Sequence, residues 1–303
     1  DAQRTSRRVT GTRRIGRRDR TFPRLLGAIH DPPPQIYLRG AGEVDLLDRP
    51  AVAVVGARSC SSYGRSVART LGRELAAAGL VVVSGMARGI DACAHKGALD
   101  AGGRTIAVLG CGLDYPVPRG QEGLARKIAE NGALISEFPL GTAPSPENFP
   151  KRNRIISGLS LGTLVVEAAQ DSGSLITARL ARAQGRPVFA VPGNLTSSQS
   201  DGTNALLKDG AKLVLTADDI AAEMLPFLKG PSALAGRGGS AAPKARLTAD
   251  EEKIYGKLSL EPCHIDRLAA DSGMAVHQVS GILMTMELKG IVRQLPGKMF
   301  VAD

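Results

Sequence analysis

The chain has 303 residues, of which 43% are hydrophobic, which allows one core of roughly 200 residues beside a second, smaller one. No apolar run reaches the roughly 20 residues that cross a bilayer, and the Arg-rich start lacks the apolar segment of a secretory signal. We therefore expect a cytoplasmic protein with no membrane partner. The formal net charge is +10, and its distribution along the chain decides what it indicates about partners.

The positive charge is concentrated at the start of the chain. Residues 1–20 contain eight arginines against Asp1 and Asp19, which leaves the rest of the chain with only +4 of the net +10. The body of the protein therefore has to attract anions locally, without a basic field over its whole surface. Residues 1–21 are expected to be a disordered, solvated arm, with help in holding nucleic acid as the alternative.

From Ala51 onwards, apolar runs rich in β-branched residues alternate with helical segments such as Arg65–Ala78 and Leu175–Gln184. Near-continuous apolar strands separated by helices are typical of a parallel sheet covered on both faces, so residues 22–228 are predicted to form a doubly wound α/β domain. Ligands of such folds bind outside the carboxyl ends of the strands. The predicted strands are Ala51–Val55, Leu80–Val83, Thr105–Leu109, Ala133–Ser136, Leu164–Val166, Val188–Val191 and Leu213–Leu215.

A linker and a small second domain follow. Residues 229–246 are rich in Gly, Ala and Pro without periodicity, which predicts a flexible linker. Residues 247–303 read as helix, helix, Gly turn, helix and hairpin, the order of a winged helix-turn-helix domain. The third helix presents His277, Gln278 and Ser280 where a DNA-reading helix would carry arginines, so duplex reading, protein docking and dimerisation all stay open.

Loops after the predicted strands carry residues suited to an anion. An arginine beside a Ser-Gly turn holds one phosphate by its side chain and by backbone N–H groups together. A salt bridge at the sheet edge is the alternative for Arg58, and a helix cap is the alternative for Asp91. The predicted phosphate contacts in these loops are Gly56, Arg58, Ser84, Gly85, Arg88, Ser172, Gly173 and Ser174.

The densest cationic cluster is the stretch Phe149–Gly158, which follows a Pro-rich segment and is predicted to be a loop. Apolar Ile155 and Ile156 anchor it, so its polar side chains are expected to bind an anion and not merely to face solvent. Phe149 either stacks on a base or belongs to the core. The predicted contacts here are Lys151, Arg152, Asn153 and Arg154.

Other chemistries are disfavoured by missing motifs. The chain has neither the G-x-G-x-x-G fingerprint of a dinucleotide site nor the G-x-x-x-x-G-K-[ST] sequence of a Walker site, so no cofactor is expected. Four cysteines lack a C-x-x-C pair and four histidines lack ligand spacing. We expect reduced thiols, no catalytic residue and no metal site.

Taken together, these stretches resemble the DNA-processing protein A family, also called DprA or Smf, over residues 22–225, and the last domain is similar to the family's C-terminal winged helix. The motifs that carry the resemblance appear in order: Asp31-Pro32-Pro33, Tyr37-Leu38-Arg39-Gly40, Gly56-Ala57-Arg58, Ser84-Gly85-Met86-Ala87-Arg88-Gly89-Ile90-Asp91, Ala94-His95, Phe149 to Ser160, Glu167-Ala168, Ser172 to Ala178, Pro192-Gly193 and Asp201-Gly202-Thr203-Asn204.

The resemblance implies an extended Rossmann-like domain that binds single-stranded DNA and, as a homodimer without enzymatic activity, loads the RecA recombinase in natural transformation, with single-strand-binding protein as a further partner. The family's pocket arginine falls on Arg58. A second family cation follows a Tyr-Pro pair and falls on Arg119, where this chain has Val117 in place of the aromatic residue. The N-terminal helical domain common in the family is not recognisable, and the Arg-rich segment stands in its place.

A hydrolase is the competing hypothesis. The family's fold resembles that of nucleotide phosphoribohydrolases, whose Gly-Thr-x-x-Glu element is approximated by Gly162-Thr163 and Glu167. The spacing here is one residue longer. Glu167 would have to act as an acid or base at an exposed loop, yet it ends an apolar strand.

Overall fold

The computed structural model describes residues 11–41, 44–228, 248–258, 263–288, 292–295 and 297–302. The chain divides into two compact units, residues 1–234 and 235–303. The predicted linker, residues 229–246, lies outside the described residues.

The first unit alternates strands and helices, as the apolar runs predict. Its strands are β1 Thr12–Gly16, β2 Gln35–Arg39, β3 Ala51–Val55, β4 Val81–Ser84, β5 Thr105–Val108, β6 Ala133–Ser136, β7 Gly162–Val165, β8 Val188–Ala190 and β9 Lys212–Leu213. Its helices are α1 Arg24–Gly27, α2 Ser62–Ala77, α3 Ile90–Asp100, α4 Glu122–Asn131, α5 Asn148–Gly158, α6 Ser174–Ala183, α7 Asp201–Lys208 and α8 Ala217–Leu228, with 3₁₀ turns at Val44–Asp48 and Ser198–Ser200.

The strands form one sheet in the order β1-β2-β6-β5-β4-β3-β7-β8-β9. All neighbours from β6 to β9 pair in parallel, while β1 and β2 are antiparallel. This confirms the doubly wound, mostly parallel α/β fold. The chain leaves β3 on one side through β4, β5 and β6 and returns on the other side as β7, so the strand order reverses between β3 and β7.

Both faces of the sheet are buried, which explains why its strands read as unbroken apolar runs. On one face, Ala53 and Val55 of β3 join a core that includes Ile155 of α5 and Ala178 of α6. On the other face, Val52 and Val54 of the same strand join a core formed with α2, α3 and α8. Consecutive residues of a strand point to opposite faces, so one pentapeptide serves both cores.

The prediction of a disordered arm for residues 1–21 is wrong where the chain is described. Thr12–Gly16 forms β1 and pairs antiparallel with β2, and its Ile15 is buried in the core. Arg13 and Arg14, the two residues before Ile15, are exposed. This edge strand buries only one of its five side chains, Ile15. A single apolar residue among arginines does not show the alternation that predicts a strand. Residues 1–10 lie outside the described residues.

Glycines set the close packing of α2 against α3. A Cβ atom on Gly97 would lie 2.1 Å from the carbonyl oxygen of Arg69, and one on Gly72 would lie 2.6 Å from that of Ala94. Real Cβ atoms do not approach backbone so closely, so the two helices would have to separate.

Replacing Gly97 with Ala should therefore lower the free energy of unfolding by about 1–3 kcal/mol, the usual cost of overpacking. Urea titration followed by circular dichroism measures it. Gly123→Ala is the matched control, because nothing lies within 4 Å of its Cβ position on the exposed side of α4. A Gly97→Ala protein as stable as the Gly123→Ala protein would contradict the packing argument.

The second unit is a winged helix, as predicted. Its described helices are α9 Ala249–Tyr255, α10 Ile265–Ser272 and α11 Val276–Leu288, and its strands are β10 Cys263–His264, β11 Val292–Leu295 and β12 Met299–Ala302. Thr248 and Glu251 form a capping box at α9, and Gly273 ends α10 in the left-handed conformation, at φ +68°. Leu268, Val279, Leu283 and Phe300 are among the residues of its own core.

Among the described helices of both units, none combines the length and hydropathy needed to cross a membrane.

Candidate nucleic-acid interface

The loop after β3, residues 56–61, lies at the point where the strand order reverses, and it carries Arg58. This side chain is exposed, and its Cζ lies 5.2 Å from the centroid of the Phe149 ring on α5. That distance is within the range of a cation–π contact. No carboxylate in the described part of the chain forms an ion pair with Arg58, so the salt-bridge alternative for this residue is not supported.

The loop after β4 packs directly beneath the Arg58 loop. Gly89 has φ +84°, and a Cβ atom there would lie 2.3 Å from the carbonyl oxygen of Ala57 and 2.5 Å from that of Arg58. Only glycine permits both this conformation and this approach. The N–H of Ile90 donates to the carbonyl of Ala57 at 3.2 Å. Gly56 is equally confined, because its Cβ would lie 2.6 Å from Ile90.

Two of the predicted cations come together at the same edge. Arg88, after β4, and Arg119, in the long loop after β5, are both exposed, and Nη2 of Arg88 donates to the carbonyl of Arg119 at 3.3 Å. The loops that carry these two cations are therefore in contact. Val117, which stands where the family has an aromatic residue, is half-buried and packs against a core cluster.

The basic stretch that was expected to be a loop is helix α5. Pro150 falls in its first turn, where the missing N–H has no helical partner to lose. Successive residues of a helix turn by about 100°, so they face different surroundings. Lys151 is exposed at this edge, whereas Arg152 points into the protein and is 4% exposed.

Arg152 is an interior residue, and the prediction that it contacts an anionic ligand is wrong. Its guanidinium donates to the carbonyl of Gly85 at 2.6 Å and to the carbonyl of Val108. Burial lowers the pKa of Arg152 to about 10, against the opposing effect of the nearby Asp91. Arg152 therefore joins β5 to the loop after β4.

Arg154 is likewise committed to internal partners, contrary to prediction. Its guanidinium forms two hydrogen bonds of 2.7 Å with the carboxylate of Glu137 and a third, of 3.1 Å, with Asp31. Only 14% of its side chain is exposed. Two carboxylates already surround this cation, so an incoming phosphate would be repelled. Arg154 fastens α5 to the segments before β2 and after β6.

The Ser84-Gly85 turn does not present free donors, which corrects another prediction. The Ser84 hydroxyl donates to the carbonyl of Val54 at 2.6 Å, and the Gly85 N–H donates to Asp91 at 3.1 Å. Asp91 also accepts the N–H of Ala87, so this buried carboxylate closes the turn on itself. Burial raises the pKa of Asp91, partly offset by Arg152.

The Ser172-Gly173-Ser174 turn begins α6 and lies beside α5. Nδ2 of Asn153 donates to the carbonyl of Gly173 at 3.5 Å, so the sequence-predicted Asn153 and this turn are neighbours. The hydroxyls of Ser172 and Ser174 bond each other at 2.8 Å, and Ser174 is buried. Ser172 and Gly173 remain accessible, whereas Ser174 has a structural role.

Glu167 follows β7 and is 3% exposed. Its two carboxylate oxygens accept hydrogen bonds from the N–H and the hydroxyl of Ser61, so it is not the exposed acid or base that a hydrolase requires. A pocket of about 480 Å³ lies beside it, lined by Ser61, Tyr63, Glu167, Pro192, Gly193, Asn194, Ser197 and Ser200. No cation lines this pocket, so it differs from the predicted phosphate site.

The winged-helix unit offers a surface of another kind. Exposed residues of α11 include Val276, His277, Gln278, Ser280 and Met284, and within residues 276–288 there is no arginine or lysine. A groove of about 660 Å³ runs along this helix and the wing, with Lys298 at its edge. The described part of this helix therefore lacks the arginines that usually read base edges.

The sequence-predicted residues that remain accessible are Arg58, Arg88, Arg119, Lys151 and Asn153 with the Ser172-Gly173 turn, and Phe149 lies under Arg58. Sequence reasoning found these cations but left Phe149 undecided between core and ligand. It assigned no role to Ser61 and treated Glu167 only as an enzymatic alternative. The N-cap serine, Ser61, followed three residues later by Gly64, gave no hint of a carboxylate more than a hundred positions away.

A doubly wound, mostly parallel sheet with exposed cations in the loops after β3, β4 and β5 defines an α/β protein of the Rossmann-like class. The DNA recombination-mediator protein A family model matches residues 13–225, and the DprA winged-helix model matches residues 239–298. The chain belongs to the DNA recombination-mediator protein A family.

Two relatives can be aligned with most of this chain. Protein Smf of Escherichia coli is 42% identical over 278 residues, which cover 91% of this chain and 74% of the relative. DNA processing protein DprA of Streptococcus pneumoniae is 45% identical over 68% of this chain and 72% of its own.

Two solved structures of relatives have the same fold as this chain. The X-ray structure of the S. pneumoniae protein superimposes with a TM-score of 0.67 at 42% identity, covering 71% of this chain and 75% of that one. The Helicobacter pylori protein, whose structure is described for a single-stranded DNA binding mode, gives 0.64 at 33% identity, covering 71% and 96%.

Proposed function

We propose that this protein binds single-stranded DNA at the carboxyl edge of its sheet and loads the RecA recombinase onto it in natural transformation. The observation that carries the proposal is the exposed Arg58 above the ring of Phe149 at the reversal of strand order. Arg88, Arg119 and Lys151 add exposed cations at the same edge. The relative from H. pylori, described for its single-stranded DNA binding mode, supports it.

A single strand suits this surface better than a duplex. Its phosphates can follow cations placed on separate loops, and its bases are free to stack on an aromatic ring such as Phe149. A duplex keeps its bases paired and its backbone stiff, so it cannot reach both kinds of group at once. The contacts go to phosphates and to base faces, which predicts weak sequence preference.

Removing either main cation should weaken binding without altering the fold. Arg58→Ala and Lys151→Ala should each reduce the affinity for a short single strand by about 1–3 kcal/mol, because charge-assisted contacts to phosphate are lost. Each should also flatten the slope of log affinity against log salt concentration by about 0.7, the value for one phosphate contact on a single strand. Fluorescence anisotropy with a labelled oligonucleotide, at several salt concentrations, measures both.

Arg73→Ala is the matched control, because this exposed arginine lies near the end of α2, at the opposite edge of the sheet. It should leave both affinity and slope within error of the parent protein. If Arg58→Ala and Lys151→Ala behave like Arg73→Ala, the strand binds elsewhere and the site assignment fails.

Two arguments support the mediator role: the chain belongs to the recombination-mediator family, and its proposed phosphate contacts are weakened by salt, so the strand can be released. The protein should stimulate RecA filament formation on strands coated with single-strand-binding protein, and Arg58→Ala should reduce that stimulation in step with its affinity. We propose that no enzymatic step is involved, since Glu167 is occupied by Ser61. Release of adenine from AMP, abolished by Glu167→Gln, would instead favour the hydrolase.

A homodimer is part of the proposal. Strand β9 ends the sheet beside β8 and leaves its other side open in the described unit. Large apolar side chains in and just after this strand are exposed, namely Leu213 at 50% and Leu215 at 71%. An open strand edge with exposed apolar residues favours pairing with a second copy. Light scattering of the parent and of a Leu215→Asp variant tests it.

A further inference from the structure

One buried residue holds both ends of the loop that carries Arg58. At the start of the loop, the N–H of Ala57 donates to the carbonyl oxygen of Glu167 at 2.7 Å. At its end, Ser61 donates its N–H to Oε2 of Glu167 at 2.7 Å and its hydroxyl to Oε1 at 2.5 Å. Arg58 lies between these two attachment points.

The surroundings of Glu167 leave it little freedom. A Cβ atom on Gly64 would lie 2.5 Å from Oε2, and one on Gly56 would lie 2.8 Å from the carbonyl oxygen of Glu167. Glycine at both positions lets the backbone close around this residue. The carboxylate also sits at the N-terminus of α2, where the helix dipole favours negative charge and where Ser61 is the N-cap.

The loop that carries Arg58 holds this residue near a second positive charge, that of Arg152. Burial is the main cause that lowers the pKa of Arg152, and the positive charge of nearby Arg58 lowers it further, so the two cations repel each other. A free loop would let Arg58 swing away from Arg152 into solvent. Fixed ends keep the loop, and with it the contact of Arg58 with the ring of Phe149, in place.

We propose that Glu167 is a positioning residue for the DNA site: by bonding Ala57 and Ser61 it fixes the loop that presents Arg58 above Phe149. This inference rests on the proposed function, because Arg58 is the residue through which Glu167 acts.

A double-variant cycle tests whether Glu167 acts through Arg58. Glu167→Gln retains the shape but replaces one acceptor oxygen by an NH₂ group, which cannot accept a bond from Ser61. Loss of one such bond should weaken single-strand binding about fivefold, which corresponds to about 1 kcal/mol. In the Arg58→Ala background the same change should cost less than twofold. Equal losses in both backgrounds would overturn the proposal.

A fluorescence measurement reports on the loop without DNA. The chain contains no tryptophan, so Phe149→Trp places a single indole beneath Arg58. Adding Glu167→Gln to this protein should change the indole emission in the same direction as adding Arg58→Ala. Emission that responds to Arg58→Ala but not to Glu167→Gln would show that the loop does not depend on the carboxylate.

Ser61→Ala and Ser62→Ala form a matched pair for the case in which Glu167→Gln unfolds the protein. The Ser61 hydroxyl bonds Glu167, whereas the exposed Ser62 hydroxyl only meets Arg65. Ser61→Ala should weaken binding severalfold and Ser62→Ala should not, with both folded by circular dichroism. Equal affinities would overturn the inference. If Arg58→Ala itself binds normally, the proposed DNA site fails, while the indole emission still decides the role of Glu167.

Discussion

Replacing Arg152 with Met should lower the free energy of unfolding by about 3–5 kcal/mol, the cost of leaving a buried charge uncompensated. Two backbone carbonyls, of Gly85 and Val108, would lose their donors. Asp91, fully enclosed in the same region, would lose the nearby cation that partly offsets its burial. Urea unfolding followed by circular dichroism measures the change.

Two companion variants make this result specific. Lys151→Met removes the neighbouring, exposed cation of the same helix and should leave stability within about 0.5 kcal/mol, the usual range for surface substitutions. Asp91→Asn in the Arg152→Met protein should recover part of the loss, because the amide oxygen still accepts the N–H groups of Gly85 and Ala87 without a buried charge. An Arg152→Met protein of parental stability would contradict the interior role.

Acidification should destabilise the protein through His95 before most carboxylates titrate. Burial lowers the pKa of His95 from 6.5 to about 3, with a further contribution from Arg152. The Thr105 hydroxyl donates to the carbonyl of Val82, so it accepts from Nδ1 of His95, and Nε2 is buried without a partner among the described residues. The folded protein therefore keeps this histidine neutral.

The unfolded chain binds a proton at His95 below pH 6.5, and the folded chain does not until about pH 3. Stability should thus fall with a slope that approaches about 1.4 kcal/mol per pH unit well below pH 6.5, or by about 1.7 kcal/mol between pH 6.5 and 5. Asp91 has the opposite sign, because its raised pKa makes acid favour the folded state. The comparison of parent and variant therefore has to change His95 alone.

His95→Gln should flatten the dependence of unfolding free energy on pH between 6.5 and 5, measured by urea titration at each pH. His30→Gln is the matched control, since His30 is exposed in the same unit. An identical slope in the parent and the His95→Gln protein would show that His95 titrates normally in the folded state.

The sequence predicted the central sheet well, because strands buried on both faces must be apolar throughout. In β3, Val52 and Val54 face one core and Ala53 and Val55 face the other. The sequence of this strand is therefore an uninterrupted apolar run. The antiparallel pair β1 and β2 was missed, since an edge strand such as Thr12–Gly16 needs a single buried Ile15 and tolerates arginines around it. Local composition does not distinguish such a strand from a solvated arm.

The cations of the site were found from sequence, but their partners were not. Lys151, Arg152 and Arg154 look alike in a basic run. They differ in the hydrogen-bond acceptors that the fold places beside them. Arg152 donates to the carbonyls of Gly85 and Val108. Arg154 donates to the carboxylates of Asp31 and Glu137. These partners are 17 to 123 positions away along the chain, so no window around the run reveals them.

The exposed cations stand on different segments: Arg58 after β3, Arg88 after β4, Arg119 after β5 and Lys151 on α5. In the proposed function, each would hold its phosphate independently of the others. A strand held in this way can be peeled off one contact at a time, and a freed phosphate becomes available to another protein before the next contact breaks. Hand-over of the strand would then proceed stepwise, without passing through a fully dissociated state.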